Sequence, residues 1–383
     1  MTAVAMPSVS SSPEAPFRLR TSHTYLAACS HAPLHEGMIA ALGRYEKDLE
    51  EFGNPWDMWT ERVGEGKALF GRLIGAPPEE VAPNFSVSTA LAGLLSAFRY
   101  GERNEIVVSD LEYPTTNHIF LAQRRYGARV RTLHHQSYRL DPSEYRKVTG
   151  PSTRLLSGIH VSSINGLRQD LGALREIAHS AGAEFYVDAY QSLGTLPLDV
   201  HREGIDYLAA GTLKYLLGIP GLAYLYVRQD LIPQLEPTVI GWFSQKDPFR
   251  FGPEELDFVP TADRFQTGTW PVPALYAGIA GMRIILEMGV TAISQRIAAL
   301  TQYAVDRARD LGLATITPEE PSQRGAVVSL VVRDPHGFED RLRQEGIITS
   351  SRGVGLRLAP HFYNTRDDLE RALVRISELQ KGG

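Results

Sequence analysis

Short apolar segments alternate with helical segments through the middle of the chain, between Pro83 and Val227. Apolar runs of this kind, bounded by turn residues, are typical of β-strands. Six strands are predicted, at residues 105–109, 128–133, 155–161, 184–187, 207–210 and 222–227. Strands that alternate with helices favour a mostly parallel sheet that is covered on both faces. The sequence therefore predicts an α/β fold.

The clearest helix lies between Asp170 and Gly182. Asp170 is a typical N-cap residue, and Gly182 is a typical C-terminal stop. Leu171, Leu174 and Ile177 recur with helical spacing, so they are expected to face the core. In sheets of this class, ligands bind beyond the carboxyl ends of the strands.

The chain has 383 residues, of which 43% are hydrophobic, so it can bury one large core and a smaller one. We expect a large domain over residues 21–272, whose N-terminal segment packs on a small C-terminal α/β domain over residues 273–383. One or two long helices are predicted at residues 273–311, followed by a βαβα-like arrangement of residues 326–332, 338–344, 346–350 and 367–379. Residues 1–20, rich in Ser, Pro and Ala, are predicted to be disordered.

Composition excludes several classes of function. The net charge is −5 and the chain has no block of Lys or Arg, which argues against a nucleic-acid-binding protein. There is neither a long apolar run nor a signal-peptide pattern, so no membrane association and a cytoplasmic location are expected. Cys29 is the only cysteine, which excludes an internal disulfide and a multi-thiolate metal site. No metal site is predicted.

Lys214 and Asp188 are the residues that point most directly to chemistry. Asp188 follows the predicted strand at residues 184–187, and Lys214 lies in the loop after the next strand. A lysine that binds the aldehyde of pyridoxal 5′-phosphate (PLP) needs a carboxylate at the pyridine nitrogen, because the protonated ring is the electron sink. Either residue alone is commonly a surface charge or a helix cap. Together, in this setting, they predict a PLP site.

Two motifs resemble the class V aminotransferase family of fold-type I PLP enzymes: Val187-Asp-Ala-Tyr-Gln191 and Gly211-Thr-Leu-Lys214. This family includes cysteine desulfurases, isopenicillin-N-epimerase-like proteins and kynureninases. The resemblance implies a large domain with a mostly parallel, seven-stranded-type sheet and a small C-terminal domain. It also implies Asp188 at the pyridine nitrogen, Gln191 near the phenolic oxygen, and Lys214 as the covalent link and proton shuttle, with Gly211 and Thr212 in the lysine loop.

The same resemblance implies the rest of the cofactor site and a homodimer whose active sites are shared. The hydroxyl groups of Ser88 and Thr89, at a helix N-terminus, would bind the phosphate. The Tyr113 ring would stack on the cofactor, and the polar side chain of Ser163 would approach its oxygen. Thr269 and Trp242 would reach the cofactor of the neighbouring subunit. For Ser88 and Thr89, the structural alternative is a capped helix that binds no ligand. For Tyr113, it is a tyrosine of the hydrophobic core.

Four residues are candidates for substrate contact. Arg357 matches an arginine that binds the substrate carboxylate in kynureninases, and Arg352 matches the corresponding arginine of cysteine desulfurases. A planar guanidinium suits a carboxylate because it can donate two parallel hydrogen bonds. Arg357 is favoured, although either arginine could form a structural ion pair. Cys29 and His31 lie on a segment that resembles the family's N-terminal strand beside the pocket, where a buried structural role is the commoner one.

Departures from the family pattern narrow the reaction. No cysteine follows Cys29, which disfavours persulfide chemistry, and Leu213 replaces a histidine or tyrosine beside the lysine. Gln191 stands where kynureninases carry histidine, so that activity is also disfavoured. The leading hypothesis is a C–S lyase that acts on a cysteine S-conjugate by β-elimination, similar to enzymes of lincosamide antibiotic biosynthesis. Decarboxylation with oxidative deamination, epimerisation and amino transfer stay open, as does a catalytically silent scaffold.

Overall fold

The computed structural model describes Phe17 and residues 23–382, which contain twelve strands and eleven α-helices. The strands are β1 (Thr24–Tyr25), β2 (Val81–Asn84), β3 (Glu105–Ser109), β4 (Arg129–Leu133), β5 (Thr153–Ile159), β6 (Glu184–Asp188), β7 (Tyr207–Gly211), β8 (Ala223–Val227), β9 (Val328–Val331), β10 (Ile347–Ile348), β11 (Ser350–Arg352) and β12 (Gly355–Leu358). The helices are α1 (Glu36–Phe52), α2 (Trp56–Ile74), α3 (Val87–Leu95), α4 (Pro114–Ala122), α5 (Pro142–Val148), α6 (Leu171–Ser180), α7 (Val200–Glu203), α8 (Val272–Met288), α9 (Val290–Asp310), α10 (Pro335–Gln344) and α11 (Arg366–Lys381).

A seven-stranded sheet in the order β2-β8-β7-β6-β5-β3-β4 forms the centre of the molecule. Neighbouring strands are parallel except at β8, which runs antiparallel to both β7 and β2. Strands β3, β7 and β8 are buried along their whole length, which explains their continuous apolar sequences. The predicted α/β fold with a mostly parallel sheet is confirmed.

Strand β2 is the one strand of this sheet that the sequence pattern did not predict. It is only four residues long and contains Pro83, which cannot donate a ladder hydrogen bond. Proline is tolerated here because β2 lies at the edge of the sheet and pairs with β8 alone.

Helix α6 has the N-cap residue, the buried apolar face and the C-terminal glycine that the sequence predicted. The Asp170 carboxylate accepts a hydrogen bond of 2.9 Å from the Ala173 backbone N–H, and Leu171, Leu174 and Ile177 are buried. Gly182, with φ of +68°, adopts the left-handed conformation that glycine tolerates best. Packing of this apolar face holds α6 against β5 and β6.

The C-terminal part of the chain differs from the predicted βαβα-like arrangement. Strands β11, β12 and β9 form an antiparallel sheet in that order, and neither β11 nor β12 had been predicted. This hairpin was not predicted because the polar Arg357 interrupts the apolar pattern of β12. The connection before it is also tight, through Gly353 with φ of +55°. Strand β1 pairs in parallel with β10, which ties the start of the described chain to this C-terminal part. The domain boundaries themselves stay predictions.

The predicted helical region at residues 273–311 forms two helices, α8 and α9, which meet at Gly289 with a bend of 80°. No single helix among the described residues is long and apolar enough to cross a membrane, although this bent pair would pass on length and composition if taken together. Of the predicted disordered segment, residues 1–20, only Phe17 lies within the described residues. Its ring lies 4.3 Å from that of Tyr363, centroid to centroid.

Replacement of Gly166 tests the close approach of the loop after β5 to the backbone of Val327. Its φ is +76°, and a Cβ added there would lie 2.2 Å from the Val327 carbonyl oxygen. We expect Gly166→Ala to lower the free energy of unfolding by at least about 2 kcal/mol, because it adds a steric clash to backbone strain. In the control Gly43→Ala, within α1, the added Cβ meets no atom within 4 Å. That variant should gain about 0.5–1 kcal/mol. Urea unfolding of both variants measures the difference, and equal stabilities would contradict this interpretation.

Candidate active site

A cavity of about 240 Å³ opens at the carboxyl ends of β5, β6 and β7. Ile159 ends β5, Asp188 ends β6, and Lys214 follows the end of β7, so parallel strands bring these side chains to one edge. The cavity gathers most of the residues that the sequence predicted for one site. They are Lys214, Asp188, Gln191, Tyr113, Ser88, Ser163, Arg352, Arg357 and Cys29.

A larger cavity of about 700 Å³ lies elsewhere, and His160 is among its lining residues. Ile159, the last residue of β5, lines the smaller cavity, whereas the next residue, His160, lines the larger one. The larger cavity lacks Lys214 and Asp188. The chemistry is therefore assigned to the smaller one.

Lys214 is buried, with only 9% of its surface exposed. Its Nζ atom lies 4.0 Å from the ring centroid of Tyr190 and 5.7 Å from that of Tyr113. Burial lowers the pKa of Lys214 to about 8, while the negative charge of Asp188 acts in the opposite direction. A lowered pKa gives the amine a larger neutral fraction near neutral pH, which both nucleophilic attack and proton removal require.

Asp188 is held in place from several directions. The Tyr190 backbone N–H donates to its carboxylate at 2.9 Å, and the His160 backbone N–H donates to its carbonyl oxygen at 3.0 Å. Burial raises the pKa of Asp188, and the Tyr190 hydrogen bond and the charge of Lys214 counteract that rise. A buried carboxylate is costly unless it is paired with a cation and hydrogen-bonded, and a protonated pyridine nitrogen would supply both interactions to Asp188.

Behind Asp188 lies a second buried acid, Glu112, which the sequence analysis did not identify. Burial, with the nearby charge of Asp188, raises the pKa of Glu112 well above its ordinary value. The Ser157 hydroxyl donates to its Oε1 at 3.1 Å, whereas Oε2 has no hydrogen-bond partner among the described residues. Burial and the charge of Asp188 therefore both favour the neutral form of Glu112.

The polar groups of the cavity fit PLP. Within the described chain, the buried Ser163 Oγ and Gln191 Oε1 atoms have no hydrogen-bond partner. Gln191 is positioned by a hydrogen bond of 3.0 Å from its Nε2 to the Cys29 carbonyl oxygen. A phenolic hydroxyl that accepts from Ser163 Oγ and donates to Gln191 Oε1 would satisfy groups that are otherwise costly to bury. Tyr113, 37% exposed, presents a ring at the cavity wall.

The N-terminus of α3 forms the opposite wall and suits a phosphate, because its first backbone N–H groups have no acceptor within the helix. Ser86 is the N-cap residue, and Ser86 and Ser88 both line the cavity. The Thr89 hydroxyl instead closes a capping box: it accepts from the Ser86 backbone N–H at 3.0 Å and donates to the Ser86 carbonyl oxygen at 2.9 Å. Thr89 therefore stabilises the N-terminal end of α3 without lining the cavity.

Other predicted residues lie outside the cavity wall. Thr212 is buried and donates to the Leu222 carbonyl oxygen at 3.3 Å, and His31 is exposed. Trp242 packs in an aromatic cluster against Trp56, with ring centroids 5.4 Å apart, and Thr269 is exposed. Contact of Trp242 and Thr269 with the cofactor of a neighbouring subunit stays a prediction.

The two candidate arginines line the same cavity but are held differently. Arg357 is only 2% exposed and donates to the Ser163 carbonyl oxygen at 2.7 Å and to the Ser350 hydroxyl at 2.6 Å. Arg352 is partly buried, and its guanidinium carbon lies 5.0 Å from the Tyr113 ring centroid. Arg357 has the more rigid position, which favours orientation of a substrate, whereas Arg352 has the freer side chain.

Besides the buried Glu112, which does not line the cavity, several cavity residues were not predicted from the sequence. They are Ser30, Ser86, Val87, Leu91, Thr115, Thr116, Ile119, Ile159 and Tyr190. Tyr190 could have been found, because it lies between Asp188 and Gln191 immediately after a strand end. For the apolar residues there was no such signal, since their spacing is that of ordinary core positions.

Replacement of Lys214 tests its burial directly. The lowering of its pKa from 10.5 to about 8 means that the protonated lysine destabilises the folded chain by about 3 kcal/mol. The destabilisation is complete below pH 8 and disappears as the pH rises to 10.5. We therefore expect Lys214→Met, without cofactor, to unfold at higher urea concentration than the parent at pH 7, with a smaller difference at pH 10. The exposed Lys47→Met is the control, and a gain independent of pH would contradict the explanation.

Comparison with known proteins agrees with this geometry. The sequence model of the family described as Aminotransferase class-V matches residues 58–379. The chain is 34% identical over 358 residues to the uncharacterized aminotransferase YcbU of Bacillus subtilis (strain 168), covering 93% of this chain and 94% of the relative. It is 28% identical over 339 residues to the kynureninase of Pseudomonas fluorescens, covering 82% of this chain and 79% of the relative.

A solved structure shares the whole fold. The complex of the cystine C-S lyase C-DES with its reaction product, cysteine persulfide, superposes with a TM-score of 0.86 at 20% sequence identity, covering 94% of this chain and 98% of that one. The match confirms fold-type I architecture. The chain belongs to the class V aminotransferase family, and its cofactor is pyridoxal 5′-phosphate.

Proposed function

We propose that this protein is a PLP-dependent lyase that cleaves the Cβ–S bond of a cysteine S-conjugate in secondary metabolism, such as antibiotic biosynthesis. The observation that carries the proposal is a cavity with a lysine and two arginines but no cysteine from the C-terminal part of the chain, since Cys29 is the only cysteine. Leu213 lies beside Lys214 where an acid–base side chain would be needed for other family reactions. The site therefore supports removal of a Cα proton without a protein nucleophile for sulfur.

PLP, when bound, supplies the electron sink that stabilises negative charge at Cα. Arg357, fixed by Ser163 and Ser350, would bind the substrate carboxylate and orient the Cα–H bond toward Lys214. The neutral Lys214 amine would then take the Cα proton. The electron pair left at Cα forms the Cα–Cβ double bond as the thiolate departs from Cβ. The products are a thiol and 2-aminoacrylate, which water converts to pyruvate and ammonia.

Two other outcomes use the same residues. Loss of the α-carboxyl group with oxidative deamination would need the carboxylate, instead of the Cα–H bond, aligned for cleavage, and would need an oxidant such as dioxygen. Epimerisation would return a proton to Cα from the opposite face, whereas amino transfer would leave Cα without that proton and release a keto acid. The name of the Bacillus subtilis relative is in keeping with amino transfer. A catalytically silent scaffold is the least favoured alternative, because Lys214 and Asp188 are kept together in one polar cavity.

Product analysis separates these reactions. We expect the purified protein with PLP to release equal amounts of thiol and pyruvate from a cysteine S-conjugate, and Lys214→Ala to release neither above background. Carbon dioxide with an aldehyde would identify the oxidative decarboxylation instead. If no conjugate in a panel of alkyl, aryl and sugar-linked thioethers yields thiol or pyruvate, the lyase proposal is wrong.

The roles of the two arginines can be separated by kinetics. Removal of one partner from a buried charge pair typically costs about 2–5 kcal/mol, so Arg357→Leu should lower kcat/KM by about 30- to 5000-fold. Arg352→Leu is the matched variant, and we expect a loss of less than about tenfold. Unchanged absorbance of the bound cofactor in both variants is the control for folding. A larger loss in Arg352→Leu would transfer the carboxylate-binding role to Arg352.

A homodimer with shared active sites is part of this proposal. Trp242 lies beside Phe249 and Phe251, whose side chains are 58% and 70% exposed, and this aromatic surface suits burial against a second copy of the chain. Burial there would bring Trp242 and Thr269 toward the neighbouring cofactor. The cytoplasmic location stays a prediction.

A further inference from the structure

Tyr190 is the aromatic residue closest to the reactive amine. It follows the end of β6, and its backbone N–H donates to the Asp188 carboxylate at 2.9 Å. Its ring lines the cavity with the centroid 4.0 Å from Lys214 Nζ, well within the distance at which a cation interacts with an aromatic face. One residue therefore contacts both members of the lysine–aspartate pair.

The end of β7 leaves room for this ring. A Cβ atom added to Gly211 would lie 2.5 Å from Tyr190 Cζ and 2.6 Å from its hydroxyl oxygen. No larger residue could stand at position 211 without displacing the phenol from Lys214. Gly211, predicted as part of the lysine loop, therefore contributes to the site by leaving space for the Tyr190 ring.

The other ring in the site is less well placed for the same role. Tyr113 lies farther from Lys214 Nζ, at 5.7 Å, and its ring also interacts with Arg352, whose guanidinium carbon is 5.0 Å from the centroid. Besides Asp188, the charged groups that act on Lys214 are Arg357 and Arg352, which oppose protonation, and Cys29, which favours it when ionised. The face of Tyr190 is therefore an uncharged group that favours the protonated amine.

We propose that Tyr190 is a catalytic residue that binds the protonated form of Lys214 on its ring face, stabilising the charge that appears when the amine takes a proton from the substrate. The ring attracts the ammonium group much more strongly than the neutral amine. Stabilisation therefore grows as the proton is transferred, and such an interaction lowers a barrier instead of only tightening binding. This role rests on the proposed function in one respect, the removal of a Cα proton by Lys214.

A substitution series that preserves shape gives the sharpest test. Phenylalanine at position 190 keeps the ring, and added fluorine atoms withdraw electron density from its face with little change in size. In the full-length chain without cofactor, the pKa of Lys214 can be measured from the pH dependence of acylation at that residue by mass spectrometry. We expect Tyr190→Phe to stay within about 0.3 of the parent value. We expect progressive fluorination to lower the pKa by up to about 1.

Tyr190→Leu, which fills the space without a π-face, should match the most fluorinated ring. With PLP and substrate, kcat should fall by about 5- to 30-fold in Tyr190→Leu and be largely restored in Tyr190→Phe. Tyr126→Leu, at a tyrosine that is 63% exposed, is the control and should change neither quantity. A Lys214 pKa that is constant across the fluorinated series would overturn the proposal, and it would do so even if Tyr190→Leu failed to fold.

The two proposals can fail separately. If no cysteine conjugate yields thiol or pyruvate, the lyase assignment fails, whereas the Lys214 pKa in the fluorinated series still reports on the ring. If that series is flat while thiol and pyruvate are formed, the lyase assignment stands and Tyr190 only fills space.

Discussion

Burial of the Lys214 amine beside the Asp188 carboxylate is the interaction on which the site depends. Removal from water lowers the pKa of the lysine to about 8 and raises that of the aspartate, so both groups become more reactive than they are in solution. The fold can hold them because β6 and β7 are central, buried and parallel, and their carboxyl ends meet at one edge. The stability lost by burying the amine is tolerable in a chain with such extensive cores.

The surroundings of this pair stabilise it in two ways. Behind Asp188, burial raises the pKa of Glu112, which disfavours a second buried negative charge beside the aspartate. In front, Arg357 of β12 donates to the Ser163 carbonyl oxygen after β5, so the C-terminal hairpin is fastened directly to the loop beside the cavity. Movement of that hairpin would therefore displace both Arg357, the proposed carboxylate-binding residue, and Ser163, which is predicted to lie near the cofactor. The two parts of the chain are coupled through the atoms that would hold the ligand.

Much of this could be predicted from local sequence. The strand at Glu105–Ser109 and the capped helix α6 were predicted because their apolar spacing and terminal residues are strong local signals. Strands β2 and β12 were missed because Pro83 and Arg357 interrupt the pattern, and only pairing with distant strands makes those segments extended. Glu112 was missed for a similar reason: nothing in its neighbourhood in the sequence shows that it becomes buried next to Asp188.

Local sequence was enough to predict the family, the cofactor, and the lysine and aspartate expected to bind it, because their chemistry requires particular residue types at the ends of recognisable strands. Tertiary structure alone decided which side chains surround them. Thr89 points into its own capping box, Tyr190 lies over Lys214 because Gly211 leaves space, and Arg357 reaches the site from a different sheet. Such contacts join residues far apart in the chain, and they depend on packing, which local patterns do not record.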